Sequence, residues 1–582
     1  RTHTHTQHTH KQKTPKPSDD LISKSRSSFS RNREKKNFKM SERERERASE
    51  YKTGLVRNKT HTDKRKKQTI EIRKKNRMKK LQAKRRRMAS NRTTTTTTTY
   101  DAKELGPIVQ QLKQNQEKRT ENLKRIRKIL SIPDDPPIDA VIELGLIPVL
   151  LQCLSSHVTT EEQKLEACWC FTNIASGTHK QTEYALQAAP YLIQFLGSSS
   201  SVFQEQAAWC LGNIAADDEW RARLHSNGVV KPMLKLLDSK NTEVLRTATW
   251  ASTNLARGYR TSARPFVNQA GERMITLLNH DDPVIVSEVA WMLSFLTARE
   301  DDAVTYLLSK GFSNTLVNSF VKRIKHVFSD KTNEIEVSSL TPFVRCLGNV
   351  LSGPDVWSEG VLSRNEVWDI FYRIVQISAS QCMPGNCVTV RIHRTLTKEV
   401  SWVLSNIAGG TLEHCQRLVK MNFVPALCVL LKECDFDVKR EVAHVLFNIM
   451  SQNHAQHLSL ILSQQGTLEV LIRLLCAPDP AMIHLGIGFV SSVLENRLKD
   501  GRRLVQELNG IELLENLQYR DNIPPELCRM AKDIIDKYFG EDDEEEEMDA
   551  SMDFSNFTGF TSQQPSGGRG RGLSMTKPAW QT

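Results

Sequence analysis

What the chain lacks narrows the field first. Its 582 residues contain no run of eighteen or more apolar residues, and no basic start followed by an apolar middle and a small-residue cleavage site. No segment is therefore expected to cross a bilayer or to act as a secretory leader. The twelve cysteines show no repeated CxxC spacing. In Ala167-Cys168-Trp169-Cys170 and Leu427-Cys428 they lie inside apolar helical stretches and read as small, reduced core residues rather than zinc ligands. There is no Gly-rich phosphate loop, no metal-spaced His/Cys cluster and no nucleophile motif, so the sequence offers no catalytic centre, metal or cofactor. Beyond Asp101, strand-like alternation is almost absent.

What is present is unevenly distributed. The chain totals 81 Lys and Arg against 67 Asp and Glu; residues 1–92 hold 32 and 9 of these, a net +23, which leaves 49 and 58, a net −9, for the remainder. A basic arm is thus tethered to a mildly acidic body, which permits attraction within the molecule as well as to outside partners. Residues 1–39, with His-Thr alternation from Thr2 to His10, are too polar to fold alone. Met40, followed by Ser41-Glu42-Arg43, has the look of a start, and whether residues 1–39 are native stays open. Residues 40–92 form a basic segment with a helix candidate from about Lys64 to Met88. Seven threonines within residues 93–100 make a low-complexity linker, and residues 540–582, acidic at first and then rich in Gly and Ser, are expected to be disordered.

Between them, residues 101–539 read as helix after helix, with apolar residues every three to four positions. One helix recurs: Trp169-Cys-Phe-Thr-Asn173-Ile-Ala, Trp209-Cys-Leu-Gly-Asn213-Ile-Ala, Trp250-Ala-Ser-Thr-Asn254-Leu-Ala and Trp402-Val-Leu-Ser-Asn406-Ile-Ala. The first three tryptophans are 40 and 41 residues apart and Trp291 lies 41 further on, a period that marks armadillo or HEAT repeats stacked into a superhelix. Less regular copies carry Arg345 with Asn349 and His444 with Asn448. Residues 322–340 and 376–395 read as insertions within or between repeats.

Positions i and i+4 share a helix face, so each pair sets an indole beside a carboxamide. A carboxamide can bond the N–H and C=O of an extended peptide, and a lysine or arginine over an indole gains about 0.5–2 kcal/mol. Acidic groups lie close by: Asp217 follows Asn213 by four, while Glu288, Glu399 and Glu441 precede their repeat's Trp position by three. Any single pair is explained as well by packing. Six asparagines at one offset are not, because Asn is a mediocre helix former.

These features resemble importin α, and the resemblance covers about Lys64 to Phe539. Its specific motifs are Trp169 to Gly177 (Trp-x-x-x-Asn-Ile-Ala-Ser-Gly), Gln204 to Trp209 (Gln-Glu-Gln-Ala-Ala-Trp), Pro136 to Asp139 (Pro-Pro-Ile-Asp) and the acidic cluster after the last repeat. The resemblance implies an all-α, right-handed superhelical solenoid of about ten armadillo repeats, preceded by a disordered or helical basic arm. It also implies a nuclear import adaptor that shuttles between cytoplasm and nucleus. By the same resemblance, a major site for basic nuclear localisation signals uses Trp169, Asn173, Gly177, Thr182, Gln206, Trp209, Asn213, Asp217, Trp250, Asn254, Glu288 and Trp291, with Asp217 pairing the most demanding cargo lysine. A minor site uses Arg345, Asn349, Asp355, Glu399, Trp402, Ser405, Asn406, Glu441, His444 and Asn448. Two positions depart from the family pattern, His444 where Trp is usual and Thr247 where Asn is frequent, while Phe295, which ends the fifth repeat's Trp291 motif without an Asn, resembles the family's own variation. The first should weaken its end of the minor site.

The arm admits three readings: a solvated tail, a localisation or nucleic-acid patch, or an importin-β-binding helix that mimics cargo. The third is preferred, with Lys64, Arg65, Lys66, Lys67, Arg73, Lys74, Lys84, Arg85, Arg86 and Arg87 as its basic groups. Met88 to Lys103 can reach at most about 50–55 Å, enough for Lys84 to Arg87 to fold back onto the major site. Expected partners are cargo proteins with basic signals, importin β, and an export receptor at the C-terminal repeats; membrane insertion and specific nucleic-acid binding are not expected. A catenin-like scaffold shares the solenoid, but would be expected to line its trough with Lys and Arg.

Overall fold

The computed structural model describes residues 105–540, apart from 115–116, 133–134, 258–261, 330–333, 384–391, 453, 497 and 521–522. The basic arm, the threonine linker and the acidic tail fall outside these residues. The chain divides into two units, residues 1–46 and 47–582, and every described element belongs to the second. All regular elements among the described residues are helices.

The repeating unit has two shorter helices and one long one, as in His179–Leu186, Ala189–Phe195 and Ser201–Ile214. The long helices form a row: α1 (Arg119–Leu130), α2 (Glu161–Ile174), α3 (Ser201–Ile214), α4 (Thr242–Ala256), α5 (Pro283–Thr297), α6 (Glu334–Leu351), α7 (Arg394–Ala408), α8 (Phe436–Gln452) and α9 (Pro480–Asn496). Each packs against the next, and the shorter helices pack behind them. No repeat could bury its apolar face alone, so stacking merges the faces into one cluster running from Leu105 to Tyr538, with Phe171, Phe266, Phe343, Phe371 and Phe489 among its largest fully buried members.

Local chemistry sets the ends of these helices. Thr160 closes a capping box with Gln163 at the start of α2, and Asn241 and Asp282 cap α4 and α5 through their side-chain oxygens. A left-handed residue forms the joint between the two shorter helices or just before the second of them in six repeats: Gly145, Gly228, Gly311, Asn422, Gly466 and Asn509. Glycine, and after it asparagine, occupies that backbone region with the least strain. Of the stretches read as insertions, 322–329 and 334–340 belong to the 18-residue helices Phe312–Ser329 and α6, and 376–382 closes Asn365–Cys382, while 330–333 and 384–391 lie outside the described residues. The last described helix is Pro525–Phe539.

Candidate functional site: a row of amides and indoles

The repeated pairs fall on the row helices, and their asparagines do more than the sequence suggests. Asn213 Nδ2 donates to the carbonyl of Thr172 at 3.0 Å, Asn254 to Gly212 at 3.0 Å, Asn349 to Ser294 at 3.0 Å, Asn406 to Gly348 at 3.4 Å and Asn448 to Ser405 at 2.9 Å. In every case the acceptor is the residue one before the preceding helix's own ladder position. The first member, Asn173, instead donates to Ser131 Oγ beyond α1 at 3.1 Å. The asparagines are buried, so packing and ladder are one feature: each amide ties its repeat to the one before. Asn213, Asn349 and Asn406 nevertheless keep a buried Oδ1 with no hydrogen-bond partner, an acceptor held in place by its own Nδ2.

The tryptophans divide by exposure. Trp169, Trp209 and Trp250 are half-buried, whereas Trp291 and Trp402 are buried, the latter to 1% exposure. Two of the rings carry a guanidinium of the chain's own: Arg127 lies 4.5 Å from the centroid of Trp169 and Arg345 lies 5.4 Å from that of Trp291. Arg127 is also paired with Glu166 at 2.5 Å, and Arg345 with the fully buried Glu399 at 2.6 Å. The site therefore already practises the cation-on-indole contact that the sequence suggested for a ligand. Phe295, in the Asn position of α5, stacks on Trp291 at 6.2 Å. His444, in the Trp position of α8, is half-buried.

The remaining predicted residues take these places. Gln206 Nε2 donates to Thr172 Oγ1 at 2.6 Å, and the buried Thr182 approaches the Ala175 carbonyl at 3.5 Å. Gly177 precedes Thr178, the cap of His179–Leu186. The Glu288 carbonyl accepts from Thr253 at 2.9 Å, and Ser405 donates to the Trp402 carbonyl at 2.8 Å. Glu441 accepts from Arg440 at 3.2 Å, and Asp355 opens the helix Asp355–Leu362. Asp217 caps Asp218–Ser226 by accepting the Glu219 and Trp220 N–H groups on Oδ1, while its Oδ2 meets His179 Nδ1 at 2.8 Å. Burial pushes its pKa up, but the bonds from His179, Trp220 and Glu219 outweigh it and hold the carboxyl below its ordinary value, so it is ionised near neutrality.

Three features were missed in the sequence. The glycine before the ladder asparagine in α3 and α6 makes room for the next tryptophan: a Cβ on Gly212 would collide with the ring of Trp250, and one on Gly348 with that of Trp402. The Gly-Asn dipeptide was the available signal. Second, arginines cap the row helices' C-terminal carbonyls, Arg221 and Arg257 on Ala215 and Ala216, and Arg299 on Ala256, where a cation complements the helix dipole. Burial pushes the Arg299 guanidinium down to about 10. Third, the His179–Asp217 pair joins residues 38 positions apart, beyond any local spacing rule.

No cluster of His, Cys, Asp and Glu among the described residues is arranged to hold a metal, and no single described helix is long and apolar enough to cross a membrane. Family models match residues 134–176 as an armadillo/beta-catenin-like repeat, 161–214 as a HEAT-like repeat and 503–552 as an atypical armadillo repeat. An engineered protein of known crystal structure superposes with a TM-score of 0.61 over 75% of this chain and 98% of its own, at 24% identity, a likeness of fold. Importin subunit alpha-9 of Arabidopsis thaliana is 32% identical over 441 residues, covering 73% of this chain and 80% of the relative. Importin subunit alpha-2 of Oryza sativa subsp. japonica is 31% identical over 445 residues, covering 73% and 79%. With a stack of armadillo repeats and that extent of identity to such relatives, the chain belongs to the importin subunit alpha family.

Proposed function

We propose that the chain is a nuclear import adaptor whose row of amides and indoles binds Lys/Arg-rich localisation signals in extended form. The observation that carries this reading is the set of buried, partnerless Oδ1 atoms on Asn213, Asn349 and Asn406, each anchored through its Nδ2 to the preceding repeat. Shielded from solvent in the chain alone, such an atom would accept a main-chain N–H from an extended peptide once the side chains over it give way, and that contact would orient without selecting. Selection for cations comes from Asp217, ionised and still 30% exposed at its side chain, and from the half-buried indoles of Trp169, Trp209 and Trp250. We assign these, with Asn173, Gly177, Thr182, Gln206, Asn254, Glu288 and Trp291, to a major site. A minor site draws on Arg345, Asn349, Asp355, Glu399, Trp402, Ser405, Asn406, Glu441, His444 and Asn448. Two sites on one stack let a two-part signal gain from effective concentration.

In this reading the basic segment of residues 40–92 docks onto importin β, and in its absence competes with cargo for the major site. The C-terminal repeats and the acidic stretch after them would serve an export receptor. The test is a titration of a lysine-rich, one-cluster peptide into a chain lacking residues 1–92. Asp217→Lys should weaken binding about a hundredfold or more, since it replaces the paired carboxylate with a repelling charge. Circular dichroism controls for the lost helix cap. An unchanged affinity removes Asp217 from the site.

A further inference from the structure

The chain sets an imidazole where the proposed site needs an available carboxylate. His179 opens the helix His179–Leu186, with Nδ1 2.8 Å from Asp217 Oδ2 and Nε2 3.7 Å from Glu219. Its ring stacks on the indole of Trp220 at 4.6 Å with an interplanar angle of 16°, and Trp220 Nε1 donates to the His179 carbonyl at 3.0 Å. Trp220 is itself buried, so the imidazole rests on a fixed platform and is aimed at the acid. Because Asp217 Oδ1 already serves two backbone N–H groups, Oδ2 is the oxygen left for an incoming cation, and His179 occupies it.

We propose that His179 is a specificity-determining residue of the major site: a built-in competitor that a cargo lysine must displace from Asp217, so that recognition there is coupled to a proton. This rests on the reading of Asp217 as the lysine-pairing carboxylate. Two cations converging on one oxygen repel, so the protonated imidazole opposes the ammonium, while the neutral ring can be set aside without that cost.

The charges that bear on the ring are Asp217 and Glu219, at the start of Asp218–Ser226, and Glu183 on its own helix. Arg223 lies 5.4 Å from the Trp220 ring centroid, and Asp139, on Ile138–Glu143, is engaged with Gln181 at 2.8 Å. The hydrogen bond to Asp217 is the largest influence and raises the His179 pKa; burial opposes it, and the charges of Asp217, Glu219 and Glu183 add to the rise. A lysine that takes Asp217 removes the largest of these effects, the imidazole returns toward its ordinary value, and a proton is released. Affinity is thus full above the raised value and falls as pH drops through it. The pair's contribution to folding runs the other way, complete below about pH 6.5 and lost as pH rises through the raised value.

The experiment uses the full chain, labelled with 15N-histidine, and a lysine-rich peptide without histidine, cysteine or acidic residues. His179→Ser assigns the ring signals. Expected are a His179 titration above the usual range, a shift of its signals toward the neutral form when peptide is added at pH 6.5, and peptide affinity about fivefold weaker at pH 6.0 than at pH 7.5. In His179→Ser that pH dependence should largely vanish, with tighter binding at pH 6.0. Peptide that binds while the His179 signals stay in place, or an equal pH slope in both proteins, overturns the proposal and leaves the adaptor reading intact. If neither protein binds peptide, with residues 1–92 present or removed, the adaptor reading fails and the proposal falls with it.

Discussion

Gly348 shows how a residue without a side chain can be specified by a neighbour. A Cβ there would meet the Trp402 ring, which is 1% exposed and has no room to retreat. Gly348→Ala should gain about 1 kcal/mol of helix propensity and lose about 1–3 kcal/mol to overpacking. We expect a net loss of stability, read as a lower urea midpoint, and a rise would show that the ring yields. Asn213→Ala tests the ladder from the other side. It removes a buried bond to Thr172 and should cost about 1 kcal/mol of stability together with part of the peptide affinity. A variant that keeps its affinity would mean that the Oδ1 atoms are not ligand acceptors.

At this scale the sequence was legible in part. The Trp and Asn offsets marked which side chains would line the row, because i, i+4 spacing alone fixes a helix face. That Asn213 binds its own neighbouring repeat was not legible: Thr172 lies 41 residues away, and its backbone carbonyl leaves no trace in residue type. The His179 contact crosses repeats in the same way. His444 was legible as a departure, and it stays half-buried in the tryptophan position.

Among the elements, the period carried the fold. A spacing of 40 to 41 residues cannot come from one globular core, whereas the capping box of Thr160 and Gln163 emerged only with the structure. The lengthened helices near residues 322–340 were harder to read, because the low-contrast stretch around Asp330 interrupts the apolar rhythm that continues on either side. The joints between helices make a separate prediction. Gly311 has a φ of 81° and open space where a Cβ would stand, so Gly311→Ala introduces backbone strain without a clash. We expect a loss of about 1–2 kcal/mol with unchanged peptide affinity. A loss of affinity would show that the joint transmits strain to the row.

For the whole molecule, neighbour-only packing and divided charge set the behaviour. Because each row helix contacts chiefly the next, denaturant unfolding should be broad, with repeats at the two ends opening at different midpoints, and coincident transitions in near- and far-ultraviolet dichroism would argue against this. Residues 1–92 carry a net +23 and the remainder a net −9. Removing the arm should tighten binding of a basic peptide at least about tenfold at low salt, and the gain should shrink as salt rises from about 0.1 to 0.5 M, where screening shortens to a few ångströms. Equal affinity with and without the arm would refute self-occlusion.

The amide ties have a mechanical consequence. Each carboxamide that would hold a cargo backbone is fastened by its other end to the seam between two repeats, so the hands of the molecule are also its stitches. On the proposed reading, flexing the stack would turn those oxygens away from a bound chain, and a chain stretched across them would stiffen the stack. A partner that bends the far end of this spring could thus loosen a passenger it never touches.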